Sequence, residues 1–190
     1  MLNKNFVKAI SVMLILILSI SMAGCSKISE DEAKSIVNDL VEKSYDLNDI
    51  YFGKGLNYVD SGNPNAIYMV VDVKERYITK KALAEATYAV FSQDYAQDMI
   101  DTAFYGVQSE INQGSVQARY RVYDEDDLIH VNKNYTTRID KISAYKPELT
   151  KITKISSRFI DATLITEQGE ERSVSMIKED GQWRLDDSTY

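Results

Sequence analysis

The chain has 190 residues, with 22 Lys+Arg against 29 Asp+Glu, a formal charge of −7, one cysteine and one histidine. That length supports one domain with a full core rather than two. The acidic balance sets the chain against nucleic-acid phosphates and favours basic partners, and a single cysteine excludes an intrachain disulfide.

The first segment reads as an export signal. Lys4 and Lys8 precede an apolar stretch, Ile10 to Ile20, and small residues lead into Cys25 through Met22-Ala23-Gly24. The stretch is shorter than the ~20 residues a spanning helix needs. Small residues followed by cysteine resemble the lipobox of bacterial lipoproteins, with Met22 where leucine is usual. The resemblance implies diacylglyceryl transfer to the Cys25 thiol, cleavage before it, and acylation of the new amine, with palmitate among the acyl chains. Loss of residues 1–24 removes two lysines and no acid, so the 166-residue mature chain carries −9. Residues 25–28 form a short lipid tether, and residues 29–190 a single domain. Two acyl chains anchor stably where one does not, so the expected location is the extracytoplasmic face of the cell membrane.

Ser29 and Glu32 form a capping box, with Glu30 and Asp31 in an acidic first turn. Ala33, Ile36, Val37, Leu40, Val41 and Tyr45 recur at helical spacing, predicting a helix to about Leu47. Residues 48–65, rich in glycine and turn residues, read as a loop around a short extended piece near Leu56–Val59. Residues 66–72 read as a strand. Thr79 caps a second helix with Leu83, Ala86, Val90 and Phe91 on one face. Asp94 and Gln97 form a box predicted to open a third helix, whose stripe of Ala96, Met99, Ile100, Ala103 and Phe104 ends before Gly106.

From Ser115 the period becomes two. Val116, Ala118, Tyr120 and Val122 face one way, and Gln117, Arg119, Arg121 and Tyr123 the other. Asp124-Glu125-Asp126-Asp127 breaks this strand, and another follows at Leu128–Asn132. Between 138 and 159, apolar residues fall near a three-residue spacing that fits neither ideal period. Thr and Ile enrichment favours bulged strands turning at Lys146-Pro147-Glu148. Phe159–Thr166, Ser173–Lys178 and Trp183–Asp186, with turns at Gln168-Gly169 and Asp180-Gly181, make an antiparallel meander. The predicted class is α+β, with N-terminal helices packed against a curled antiparallel sheet.

The motifs of several chemistries are missing. His130 is the only histidine and no Gly-x-Ser-x-Gly elbow accompanies it, so a polar strand position is its plainer reading. Without a free thiol, zinc is left mainly with carboxylates. No phosphate-binding glycine loop or EF-hand spacing occurs. Paired carboxylates cutting a glycosidic bond form the weakest reading. The expectation is a protein that is not an enzyme and carries no metal or cofactor.

Three segments offer binding chemistry instead. Tyr123-Asp124-Glu125-Asp126-Asp127 sits at a predicted hairpin tip. It is either a solvated turn guarding a strand edge or an acidic prong, with Tyr120 and Tyr123 supplying rigid contact area. Tyr51, Phe52 and Tyr58 either line a groove or are pinned onto the core. Lys133, Arg138, Lys141, Lys146, Lys151, Lys154 and Arg158 form either a solvated face or a contact with anionic head groups.

Thr79-Lys80-Lys81-Ala82-Leu83 opens a helix carrying Val90-Phe91-Ser92, followed by Tyr95-Ala96, and a strand then runs into Tyr123-Asp124-Glu125-Asp126-Asp127. This order, across residues 33–186, resembles the IseA family of bacterial cell-wall D,L-endopeptidase inhibitors. The resemblance implies a non-catalytic protein that blocks the cleft of cysteine-type peptidoglycan endopeptidases. The lipid anchor is a departure, since such inhibitors are freely secreted. The leading expectation is a lipoprotein of a Gram-positive cell restraining autolysins; the alternative is a ligand-binding module with an aromatic-lined pocket.

Overall fold

The computed structural model describes residues 28–106, 117–123, 125–135 and 144–189. The segment read as an export signal, Cys25, Val116, Asp124, Arg138 and Lys141 lie outside these residues, as does the side chain of Asp126. The class is α+β, as expected, but the strands form two antiparallel sheets rather than one curled sheet. In chain order the elements are α1 (Glu30–Tyr51), β1 (Tyr68–Val70), α2 (Lys80–Val90), α3 (Gln93–Tyr105), β2 (Tyr120–Tyr123), β3 (Asp126–Asn132), a 3-10 turn (Pro147–Leu149), β4 (Lys151–Ile155), β5 (Phe159–Ile165), β6 (Glu171–Glu179) and β7 (Gln182–Leu185). One sheet has the order β1-β3-β2 and the other β4-β5-β6-β7.

Local signals start the helices. The Ser29 hydroxyl accepts from Glu32 N at 3.2 Å and the Thr79 hydroxyl from Ala82 N at 3.2 Å. At α3 the cap is Ser92, not the expected Asp94: its hydroxyl accepts from Tyr95 N at 3.3 Å and donates to Asp186 Oδ1 at 2.5 Å. Phe91 is extended and buried against Leu185, which delivers Ser92 directly to the new helix start. Asp94 instead contributes charge to the first turn. Gly106, at φ 76°, ends the helix.

Tertiary partners carry α1 four residues past Leu47. Asn48 Nδ2 donates to the buried Thr189 hydroxyl at 2.7 Å, and the Tyr51 hydroxyl meets that of Thr87 at 2.8 Å. Tyr51 and Phe52 are therefore buried, which corrects the groove reading for both; only Tyr58 of that trio is exposed.

The strict alternation expected before residue 123 fails at Arg119. Ala118, Arg119 and Tyr120 are all buried, Arg119 at 3% exposure. Its Nη1 donates to Tyr51 O at 3.1 Å and its Nη2 to Gly53 O at 2.6 Å. Next to it, the Tyr120 hydroxyl donates to Ile50 O at 2.6 Å and accepts from Leu56 N at 3.2 Å. No basic residue stands in the last turn of α1, so Arg119 supplies the cation that this carbonyl end favours. Gly55, at φ 80°, lies against the guanidinium, where a Cβ would collide with Nη2.

The expected meander is present. β5 pairs with β6 from Phe159↔Ile177 to Ile165↔Glu171, and Asp180 (φ 47°) with Gly181 (φ 81°) closes the tight turn to β7. β4 carries the expected bulge: Ile152 faces Ala162 while Lys154 faces Asp161. The extra residue puts Ile152 and Ile155 on one half-buried face, which accounts for the three-residue spacing between those two.

Each helix has one end on each sheet. On α1, Lys34 Nζ donates to Glu148 O at 2.8 Å and Asn38 Nδ2 to Pro147 O at 3.2 Å, beside β4, whereas Tyr51 O meets Arg119. α2 begins where Thr79 bridges Leu128 of β3 and ends where Phe91 bridges Leu185 of β7. α3 starts at Ser92 against Asp186, and its Phe104 ring lies 5.6 Å from that of Tyr120. Phe104, Ile129, Val131 and Leu83 belong to the same core as Ile160, Leu164 and Met176.

Two outcomes check this packing. Tyr120→Phe leaves Ile50 O and Leu56 N without that partner and should cost about 1–3 kcal/mol in urea unfolding; unchanged stability would remove the clamp from the account. Burial pushes the Tyr120 hydroxyl from 10.0 up to about 12, against the opposing pull of Arg119, and raises that of Tyr51 as well. The native state then keeps protons that the unfolded chain releases. Stability is intact below about pH 10 and falls as pH rises toward 12. Tyrosinate absorbance from these residues should appear only with loss of the helical circular-dichroism signal.

Candidate functional site

The acidic segment does form a hairpin tip. Tyr123 pairs with Asp126, and the register shifts between Arg121 and Tyr123. β3 begins at Asp126, so the acidic run does not end the ladder: its last two residues belong to the strand. Tyr123 is 43% exposed, and Glu125 and Asp127 are exposed. Tyr120 is wholly buried, which removes it from any contact surface; its hydroxyl is committed to α1. Of the predicted prong, the structure brings together Tyr123, Glu125 and Asp127.

The hairpin is held at its root and along one side. Ile129 N donates to Ile78 O at 2.8 Å, fastening β3 to the start of α2. Between them lies a cleft of about 560 Å³ lined by Thr79, Lys80, Lys81, Ala84, Val122 and Asp127. Ala84 and Val122 are apolar, Lys80 and Lys81 stand on the helix side, and Asp127 on the hairpin side. Lys80 Nζ donates to the Tyr105 hydroxyl at 2.9 Å and lies over the Phe104 and Tyr105 rings at 5.0 and 4.7 Å. Tyr105 is 71% exposed. Thus two exposed tyrosines, 105 and 123, an apolar recess and a carboxylate lip occupy one end of the molecule.

Sequence reasoning missed Tyr105 and the recess. A signal for Tyr105 existed: it falls off the stripe Ala96, Met99, Ile100, Ala103, Phe104 and therefore points away from the core. The recess depends on helix–hairpin packing and had no local signature.

On the outer face of the three-stranded sheet, Val70, His130 and Arg121 pair across the strands. Arg121 lies 4.4 Å above the Tyr68 ring, and Tyr123 meets the His130 ring edge-on at 4.6 Å. His130 is therefore a packed strand residue beside Tyr123. The basic segment is dispersed: Lys151 reaches Glu171 at 3.2 Å, Lys154 reaches Asp161 at 3.9 Å, and Lys133 donates to Pro64 O at 3.1 Å. These are exposed contacts of small individual energy.

Two other clefts have different linings. One, of about 670 Å³ between α1 and α2, includes Asp39, Glu42, Asp46 and Arg76 with Tyr45 and Tyr77. A second, of about 380 Å³, lies at Tyr88, Gln93, Glu179, Asp180 and Arg184. There Gln93 N donates to Glu179 Oε2 at 3.0 Å and Arg184 Nε to Tyr88 O at 2.8 Å, so the chain's own groups use its polar rim. Among the described residues no group of three or more His, Cys, Asp or Glu could hold a metal ion.

Because Asp127 is exposed, Asp127→Lys should change unfolding stability by no more than about 0.5 kcal/mol, and Tyr123→Ala, which also removes the His130 edge contact, by no more than about 1.5 kcal/mol. A loss of several kcal/mol would make the hairpin tip a structural element rather than a surface. Compared with known proteins, the chain matches no family model and no curated protein.

Proposed function

We propose that this chain is a lipid-anchored protein of the outer membrane face that acts by docking its hairpin onto another protein. The observation that carries the reading is the exposed tip itself. Asp127 lines an apolar recess with Ala84, Val122 and Lys80, Lys80 bonds the exposed Tyr105, and Tyr123 and Glu125 are exposed at the same hairpin tip. Exposed aromatic side chains at a tip that also carries charge and a small apolar recess are the composition of a protein-binding hot spot. The mature charge of −9 adds long-range attraction toward a basic partner.

The partner class follows from the resemblance to the IseA family: a peptidoglycan D,L-endopeptidase whose catalytic cleft the hairpin would cover. In this reading the domain performs no chemistry of its own. The Cys25 thiol is used for acylation, and the tyrosines of the core, Tyr51 and Tyr120, have their hydroxyls engaged within the fold. The aromatic-pocket alternative loses two of its three proposed lining residues, because Tyr51 and Phe52 are buried.

The direct experiment adds the purified mature domain to a D,L-endopeptidase digesting peptidoglycan. Cleavage should fall with increasing domain; undiminished cleavage at excess domain contradicts the partner assignment. Glu125→Lys combined with Asp127→Lys should slow association roughly tenfold or more at low salt, with a smaller difference at high salt. An association rate indifferent to both would sink the acidic-prong reading while leaving the fold intact.

A further inference from the structure

We infer that the lipid anchor and the docking hairpin occupy opposite ends of the domain, so that the partner is met in the wall layer and not at the bilayer surface. This inference rests on the anchored, protein-docking reading proposed above. It comes from which end of α1 touches which sheet. Ile28, the first described residue, packs against the core immediately before α1, only three positions after Cys25. Three residues reach at most about 10 Å, so the start of α1 stays close to the acyl chains.

The same end of α1 is fastened to the 3-10 turn and β4. Lys34 holds Glu148 O, Asn38 Nδ2 holds Pro147 O, and the Thr150 hydroxyl donates to Asn38 Oδ1 at 2.7 Å. The other end of this 22-residue helix is fastened by Arg119 and Tyr120 to β2, the strand that leads into the hairpin. At about 1.5 Å per residue, α1 separates Lys34 and Asn38 from Tyr51 by about 20–26 Å. α2 and α3 repeat the arrangement: Lys80 and Tyr105, which flank the recess, lie at the ends of these helices away from β7.

α1 is thus a strut. Its acidic first turn, Glu30 to Glu32, also sits at the tether end. The short tether fixes which end is near the membrane, and the helix length sets the height of the hairpin. A wall-borne, freely diffusing protein fits that height better than an enzyme embedded in the bilayer.

The test uses the acylated full-length protein purified from membranes and reconstituted into phosphatidylglycerol–phosphatidylethanolamine vesicles with an acceptor dye on the head groups. The natural chain has one cysteine, so acylation leaves Leu149→Cys or Asp127→Cys as the sole free thiol for a donor dye. Both sites are exposed. Energy transfer should be several-fold stronger from position 149 than from position 127. Equal transfer, or stronger transfer from 127, overturns the opposite-end arrangement. Transfer from neither position overturns it together with the anchoring reading, whatever the endopeptidase assay shows.

Discussion

A buried guanidinium on the carbonyl end of a long helix is the interaction on which the rest of this structure depends. Arg119 gives hydrogen bonds to Tyr51 O and Gly53 O, and its neighbour Tyr120 gives one to Ile50 O. A cation is expensive to bury unless its donors are matched. Here the matching comes from backbone carbonyls at a helix end, whose dipole already favours positive charge. The planar fork is what allows one side chain to hold two carbonyls, so lysine is a poor substitute. Gly55, in a left-handed conformation, lets the chain pass against the guanidinium.

The clamp links elements that would otherwise be independent. β2 belongs to the small sheet and α1 is held beside the larger one from Lys34 to Asn48, so fastening β2 to the last turn of α1 joins the two ends of the molecule. At the larger sheet the C-terminal segment does a similar job, with Thr189 buried between Ser44, Asn48 and Tyr145. Between these attachments the hairpin is left with a fixed root and a free tip. A rigid base under an exposed aromatic and acidic edge lowers the ordering cost that association would otherwise carry.

Much of this was legible locally. Ser29, Thr79 and Gly106 announce helix ends through the chemistry of their own side chains or backbone, and Asp180-Gly181 announces a turn that needs two positive φ values. The C-terminal meander follows from alternation and turn residues. The failures share one physical cause. Arg119 reads as a solvent-facing member of an alternating strand because the carbonyls that satisfy it are 66 and 68 residues away. Tyr51 and Phe52 read as loop aromatics because glycines follow them, yet Gly55 is there to admit the guanidinium that closes the loop over the core. Tyr120, predicted to touch a partner, is spent on the same clamp. The acidic tip was visible as composition, whereas the recess beside it exists only once α2 and β3 are brought together.

The central claim is that the hairpin end is the surface that touches another protein. It is tested most directly by a photo-activatable benzophenone side chain at position 123 in intact cells, with position 159 on the four-stranded sheet as the comparison. Tyr123 and Phe159 are similarly exposed, at 43% and 45%, so the two probes differ in place rather than access. The account predicts an adduct with a peptidoglycan endopeptidase from position 123 and none from 159. The same adducts from both positions, or the endopeptidase captured only from 159, would contradict it.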